Sequence, residues 1–229
     1  MVKIKWFPIF VESVSHDPNI TYFPPETAFK YLTSIRSDSQ FLKCPALRSF
    51  LKNTFIIKSP YNYRLEIDPA TKGIKADRFG KEFFENNIHV HLPTNPKDKV
   101  IVQTFPKYLF MSDSKKPVHV TVLPWFFKPN NYSVIPGSFD ITKWIRPVNL
   151  AIEAHGPVNL DYRRGEPLYC VQFDCEDDVE FELGEMTPEL SKAVVSSVSV
   201  QKYVHGMSLK ALYEQGAHYV NLIKSKVFK

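Results

Sequence analysis

The feature that most restricts the fold is a series of short runs, each about as long as one β-strand, separated by proline, glycine and asparagine. The run Tyr63–Asp68 alternates apolar with charged side chains, as a strand with one buried face requires. Further runs of strand length are Val2–Val11, Thr54–Pro60, Ile88–Leu92, Val100–Thr104, Val118–Leu123, Asn149–Ala154, Val158–Tyr162, Leu168–Phe173 and Val179–Leu183. The 18 prolines supply stiff turns, and aromatic residues, 14% of the chain, favour strands. This pattern predicts a mainly β fold of the sandwich type.

Helical patterns precede and follow this β region. Short helices are predicted near residues 26–35 and 45–52, because each begins beside a proline and carries apolar residues at helical spacing. In the second of them, Leu47, Phe50 and Leu51 are expected on the buried side.

Two amphipathic helices are predicted near the end of the chain, one beginning at Thr187 and the other at Ser208. Since an amphipathic helix has to cover an apolar surface, both should pack on something. We therefore predict a β domain over residues 1–184 and a helical C-terminal appendage over residues 185–229, packed on that domain or on a second subunit.

The charge and cysteine content favour an intracellular protein. The 29 Lys and Arg exceed the 24 Asp and Glu, but the two signs are interspersed, so a nucleic-acid partner is not indicated. Three cysteines form no C-x-x-C pair, which is typical of reduced thiols. The apolar run at the start is interrupted by Pro8 and closed by Glu12, and no run approaches the roughly 20 apolar residues of a membrane span. We expect a soluble chain, not secreted through a signal peptide and not associated with a membrane.

Two histidines form the clearest candidate metal site. His89 and His91 stand two residues apart on a predicted strand, so both imidazoles lie on one face and could bind a divalent metal. Cupins use this spacing, but they add a nearby Glu that the following residues 92–96 do not supply. His119 or His155 could complete a site. The alternative is a half-exposed strand that carries two histidines, and no other cofactor is predicted.

The stretch Val134–Pro147 contains the candidate acid. Gly137 permits a backbone angle that other residues avoid, and Asp140 is expected to accept backbone N–H bonds in the turn or to pair with Arg146 or Arg163. In this interpretation the residues hold a β corner together. No G-x-S-x-G, Walker A or G-x-G-x-x-G motif occurs in the sequence.

The same stretch, followed by the turn at residues 163–167, resembles the β-clip core of the dUTPase and dCTP deaminase families. The resemblance places Asp140 where the family keeps the carboxylate that activates water, and Gly165 and Glu166 where it keeps a Gly-Asp pair. It implies a nucleotide site. The ligand-binding residues of that site would be Trp144, Arg146, Arg163, Arg164 and Glu166.

A broader resemblance covers most of the chain. Five segments are similar to a family of uncharacterised proteins from large T4-like tailed phages; they are Lys43–Leu47, Asn53–Pro60, Pro124–Trp125, Pro136–Asp140 and Arg164–Leu168. This resemblance implies a viral origin and a location in the host cytoplasm or the virion. No activity comes with it.

Together these observations favour a non-enzymatic phage protein, either a virion component or an accessory factor that binds a viral or host protein, and a homo-oligomer. The fold expected is a β-sandwich or β-clip-like domain with short N-terminal helices and two C-terminal α-helices. The first alternative is a nucleotide-binding or nucleotide-hydrolysing β-clip protein. The second is a cupin-like metal enzyme.

Overall fold

The computed structural model describes residues 1–9, 20–36, 40–71, 73–77, 88–91, 99–126, 131–194 and 220–228. The strands are β1 (Val2–Pro8), β2 (Glu26–Thr27), β3 (Thr54–Lys58), β4 (Tyr63–Asp68), β5 (Gly73–Asp77), β6 (His89–His91), β7 (Ile101–Met111), β8 (His119–Pro124), β9 (Tyr132–Val134), β10 (Ser138–Asp140), β11 (Pro147–Ala154), β12 (Val158–Tyr162), β13 (Pro167–Asp174) and β14 (Val179–Leu183). The helices are α1 (Ala28–Ile35), α2 (Pro45–Phe50), α3 (188–194) and α4 (220–227), with a 3-10 turn at Gln40–Lys43.

Within these ranges the strands form three sheets. Sheet A has the order β14-β1-β7-β11-β9, with β6 also paired to β7; sheet B has the order β10-β8-β13-β3-β2; and sheet C has the order β12-β4-β5. Neighbouring strands are antiparallel except β1 and β14, which are parallel. The predicted mainly β, sandwich-like fold is confirmed.

One apolar core lies among the three sheets. It receives Ile4 and Trp6 from sheet A, Phe173 from sheet B and Leu65 from sheet C. Aromatic rings contribute much of its volume, and Phe110 meets Phe173 edge to face with ring centroids 5.3 Å apart. Every second side chain of β4 and β12 is buried, because one face of each strand is turned to this core.

Helices cover the outer faces of sheets A and B. On sheet A, Phe7 and Met111 belong to an apolar cluster with Leu190 of α3 and Ile223 of α4. On sheet B, a second cluster joins the N-terminal helices to the strands; it contains Ala28, Leu32, Leu42, Leu51, Ile56, Trp125 and Cys170. The described parts of the C-terminal helices therefore pack on the sheet of their own chain. Residues 195–219, which include the predicted helix start at Ser208, lie outside the described residues.

Several element boundaries follow the sequence pattern closely. Strands β4, β12 and β14 have the predicted limits, whereas α1 begins at Ala28 because the two preceding residues pair as β2. Helix α2 ends at Phe50. The prediction that Phe50 is buried is wrong, since it is 45% exposed while Leu51 is 4% exposed. The ring of Phe50 instead contacts Phe126 on the surface.

The conformational freedom that Gly137 permits is not used in this turn. Among the described glycines the left-handed conformation occurs at Gly165, with φ of 87°, and not at Gly137. A Cβ at Gly137 would meet no atom within 4 Å. The turn before Asp140 therefore does not depend on a conformation that requires glycine.

Candidate functional site

Asp140 ends β10 and closes the corner from sheet B to sheet A. Its Oδ1 accepts hydrogen bonds from the hydroxyl and backbone N–H of Thr142, at 2.6 and 2.9 Å, and from the N–H of Val118 at 3.3 Å. Its Oδ2 is 3.2 Å from Lys143 Nζ. Asp140 is only 6% exposed. The prediction that Asp140 accepts backbone N–H bonds in the turn is confirmed, and its ion pair is made with Lys143.

The electrostatics of this corner favour the charged carboxylate. Burial alone would raise the pKa of Asp140, but the hydrogen bonds from Thr142, with smaller contributions from Lys143 and Val118, hold that pKa below its usual value. From α4, Lys224 donates a hydrogen bond to the carbonyl of Thr142. Burial lowers the pKa of Lys224. The C-terminal helix is thus bonded directly to the corner.

Two of the predicted ligand residues lie near Asp140. Trp144 donates its backbone N–H to the Asp140 carbonyl at 3.0 Å, and its ring stacks on Phe139 with centroids 6.1 Å apart. Arg146 is half-buried immediately before β11. These residues belong to the same corner as the acid.

The Arg163–Glu166 turn forms a separate constellation beside β3. The backbone N–H of Gly165 donates a hydrogen bond to the carbonyl of Ser59, and the backbone N–H of Ser59 donates one to the carbonyl of Glu166, each at 2.8 Å. The carboxylate of Glu166 accepts the N–H of Arg163 at 3.1 Å, and the N–H of Arg164 donates to Asn62 Oδ1 at 2.7 Å. Glu166 therefore helps to fold its own turn.

Strand β13 separates these two constellations. Its first residue, Pro167, pairs with Lys58, and its last, Asp174, pairs with His119, which also pairs with Asp140. At about 3.3 Å per residue, the ends of this strand are about 23 Å apart. The structure therefore does not bring Asp140 together with Arg163, Arg164 or Glu166 in one chain.

The candidate metal-binding histidines lie on β6. His89 pairs with Gln103 and His91 pairs with Ile101, which puts both histidines on the same face of sheet A, one half-buried and one exposed. Across the part of the chain that the structure describes, no three His, Cys, Asp or Glu side chains are grouped so as to hold a metal ion. Metal binding by the pair stays a prediction.

A polar cluster that the sequence did not reveal lies at the edge of the same sheet. Ser133 Oγ is 2.6 Å from His155 Nε2, Lys99 Nζ is 2.9 Å from His155 Nδ1, and Lys99 Nζ is 3.4 Å from Glu153 Oε2. The contact between Ser133 and His155 resembles that of a serine nucleophile and its base. The pairing of β9 with β11 brings Ser133 beside His155. The residues of β9 gave no strand signal in the sequence.

The proton position on His155 argues against that activity. A lysine ammonium can only donate hydrogen bonds, so its contact with Nδ1 requires a lone pair there. A neutral His155 then carries its proton on Nε2, and this N–H donates a hydrogen bond to Ser133 Oγ. In this tautomer His155 cannot deprotonate the serine.

Comparisons with known proteins add no family to this geometry. No protein-family model matches the chain, and a search of curated proteins found no similar sequence. Within the described ranges, no helix combines the length and the apolar character needed to cross a membrane.

Proposed function

We propose that the chain is a non-enzymatic protein of a tailed phage, either a virion component or an accessory factor that binds a viral or host protein through its β scaffold. The observation that supports this most is the bonding of Asp140. A general base needs a lone pair directed at the proton that it removes. Asp140 is 6% exposed, and its Oδ1 accepts hydrogen bonds from Thr142 and Val118. Its Oδ2 has no hydrogen bond of normal geometry among the described residues, but it is buried and lies 3.2 Å from the ammonium of Lys143. Neither oxygen is therefore open to the proton of a substrate. Its role is then to fold the corner.

We further propose that the chain forms a homo-oligomer through the aromatic pair of Phe50 and Phe126. The two side chains are 45% and 42% exposed, and their rings meet edge to face with centroids 5.5 Å apart. Exposed aromatic rings are enriched in protein interfaces. The edge strand β14 is a poorer contact for a second copy, because antiparallel pairing with itself would put Glu180 beside Glu182.

The oligomer is tested by light scattering of the purified protein. Wild type should give a multiple of the monomer mass, and Phe50→Ser or Phe126→Ser should shift it towards the monomer. Leu222→Ser is the matched control, since Leu222 is 56% exposed on α4 and should not affect the mass. A monomeric wild type, or equal masses in all variants, would contradict this assignment.

The non-enzymatic role is tested with purified protein and deoxynucleoside triphosphates. We expect no sustained turnover; turnover that Asp140→Asn abolishes would overturn the proposal. A nucleotide at 100 times its dissociation constant should raise the free energy of unfolding by about 2.7 kcal/mol, so such a shift would favour a nucleotide-binding function instead. Iron, zinc or manganese bound to wild type but lost in His89→Ala and His91→Ala would favour the metal enzyme.

Mass spectrometry of purified virions separates the two forms of the proposal. The chain should be detected in particles if it is a virion component. If it is an accessory factor, it should be present in infected cells and lost from washed particles.

A further inference from the structure

Four hydroxyl groups meet inside the core, where sheet A contacts sheet C. Sheet A supplies Thr104 from β7 and Tyr132 from β9, and sheet C supplies Tyr63 from β4 and Tyr162 from β12. All four residues are buried. The hydroxyls of Tyr132 and Tyr162 are hydrogen-bonded at 2.7 Å, and the rings of Tyr63 and Tyr162 stack with centroids 5.5 Å apart. A polar region therefore interrupts the apolar core.

Two of these hydroxyls make no hydrogen bond of normal geometry with the described part of the chain. Tyr63 Oη and Thr104 Oγ1 are both buried, and neither has a partner with hydrogen-bond geometry among the described residues. They are nevertheless neighbours: burial raises the pKa of Tyr63, and a hydrogen-bond interaction with the Thr104 hydroxyl opposes part of that rise. The geometry of this contact falls short of a normal hydrogen bond. The two groups thus approach each other from different sheets without forming a good direct bond.

A buried hydroxyl without a partner is unfavourable for folding. Each of these hydroxyls has one donor and lone pairs to accept with, so one small molecule that both donates and accepts could satisfy the pair. Because burial raises the pKa of the neighbouring phenols of Tyr132 and Tyr162 as well, the lining is uncharged at neutral pH. These properties fit a neutral ligand, and water is the one that protein interiors usually hold.

We propose that Tyr63 and Thr104 bind one ordered water molecule between sheets A and C. The water accepts a hydrogen bond from one hydroxyl and donates a hydrogen bond to the oxygen of the other. It links β4 of sheet C to β7 of sheet A at a point where the described residues form no direct hydrogen bond of normal geometry.

The test removes each hydroxyl while keeping the shape of its side chain. Tyr63→Phe and Thr104→Val should each lower the unfolding temperature by about 2–4 °C, because each takes one partner from the water. The double variant should lose less than the sum of the two, since both act on the same molecule. Tyr108→Phe is the control for a hydroxyl with an identified acceptor, the carbonyl of Phe23 at 3.2 Å.

A high-resolution crystal structure should show a water within about 3.2 Å of both hydroxyls. Two results would overturn the proposal. One is a higher unfolding temperature in either single variant, which is expected when a hydroxyl with no partner is removed. The other is a crystal structure with no electron density for a water beside the two hydroxyls, because a direct bond between Tyr63 and Thr104 would then account for any non-additivity in the double variant.

Discussion

Oδ1 of Asp140 accepts a hydrogen bond from the hydroxyl of Thr142, two residues further along the chain, at a distance of 2.6 Å. The same oxygen accepts the backbone N–H of Thr142 and that of Val118, which precedes β8. One acid thus bonds its own turn to the neighbouring strand of sheet B. From there Lys224 bonds the turn to α4. These bonds explain why an acid occupies position 140, where the chain leaves sheet B and enters sheet A.

Replacing Asp140 should lower the free energy of unfolding, and Asp140→Ala should lower it more than Asp140→Asn. We expect Asp140→Ala to reduce the free energy of unfolding by about 2–4 kcal/mol, because it leaves buried donors unpaired. Asp140→Asn should cost less, since the amide oxygen can still accept from Thr142. Urea unfolding measures both, with exposed Asp174→Ala as the control, expected within about 0.5 kcal/mol of wild type. An Asp140→Ala protein as stable as wild type would show that the corner holds without the acid.

The contribution of Asp140 should depend on pH. Its pKa is lowered in the folded chain, so the stabilisation is fully present above the unfolded pKa of about 3.9 and is lost as pH falls through the folded pKa. The difference in free energy of unfolding between wild type and Asp140→Asn should therefore shrink below about pH 4. Urea unfolding at neutral and acid pH measures this difference. A difference that stayed constant would mean that the charge of the carboxylate is not what stabilises the corner.

Gly184→Ala should destabilise the contact between sheet A and the C-terminal helices. A Cβ at Gly184 would lie 2.1 Å from Cε1 of Phe7, a fully buried ring in the cluster beneath α3 and α4. Forcing that ring to move should cost about 1–3 kcal/mol. Gly137→Ala is the matched control, because its Cβ meets nothing within 4 Å. Equal unfolding temperatures for the two variants would contradict the close approach of Gly184 to the Phe7 ring.

Periodicity predicted the regular strands and missed the irregular ones. Alternation gave the limits of β4 and β12, because one face of each is buried and the other exposed. Strands β9 and β10 have three residues each, too few for alternation to be visible, and β10 lies in the stretch Val134–Pro147 that was interpreted as a β corner. The second half of β7 lies beyond the predicted run Val100–Thr104, and it contains Pro106, a residue type that is uncommon inside strands.

The candidate site was only partly predictable for a related reason. The bonds of Asp140 to its own turn are local, so residue type and spacing were enough to anticipate them. The separation of Asp140 from Glu166 depends on the register of β13 against β8 and β3, which no local pattern specifies. The contact of Ser133 with His155 likewise depends on cross-strand pairing between segments 22 residues apart.

The cysteines should differ sharply in reactivity. Cys44 is exposed, whereas Cys170 is fully buried beneath the N-terminal helices, and burial raises the pKa of its thiol to about 12. Since the thiolate is the reactive form, a thiol reagent should modify Cys44 quickly and Cys170 only after unfolding. Mass spectrometry of the labelled protein measures this, and Cys44→Ser should remove the fast phase. Rapid labelling of Cys170 in the folded protein would mean that the N-terminal helices detach readily from sheet B.

The buried tyrosines should make the protein sensitive to alkali. Within the described part of the chain, seven tyrosines have a pKa raised by burial; they are Tyr22, Tyr61, Tyr63, Tyr108, Tyr132, Tyr162 and Tyr169. A raised folded pKa contributes stability that is present below the unfolded pKa of about 10 and is lost as pH rises through the folded value.

Absorbance titration of tyrosinate should therefore show these seven phenols resisting ionisation near pH 10, about the usual pKa, and then ionising together as the chain unfolds. The same titration in concentrated urea supplies the control, because all 11 should ionise near the ordinary value once burial is removed. Reversible ionisation of all the tyrosines near that value in the folded protein, with no loss of structure, would contradict the burial of their hydroxyls in the core.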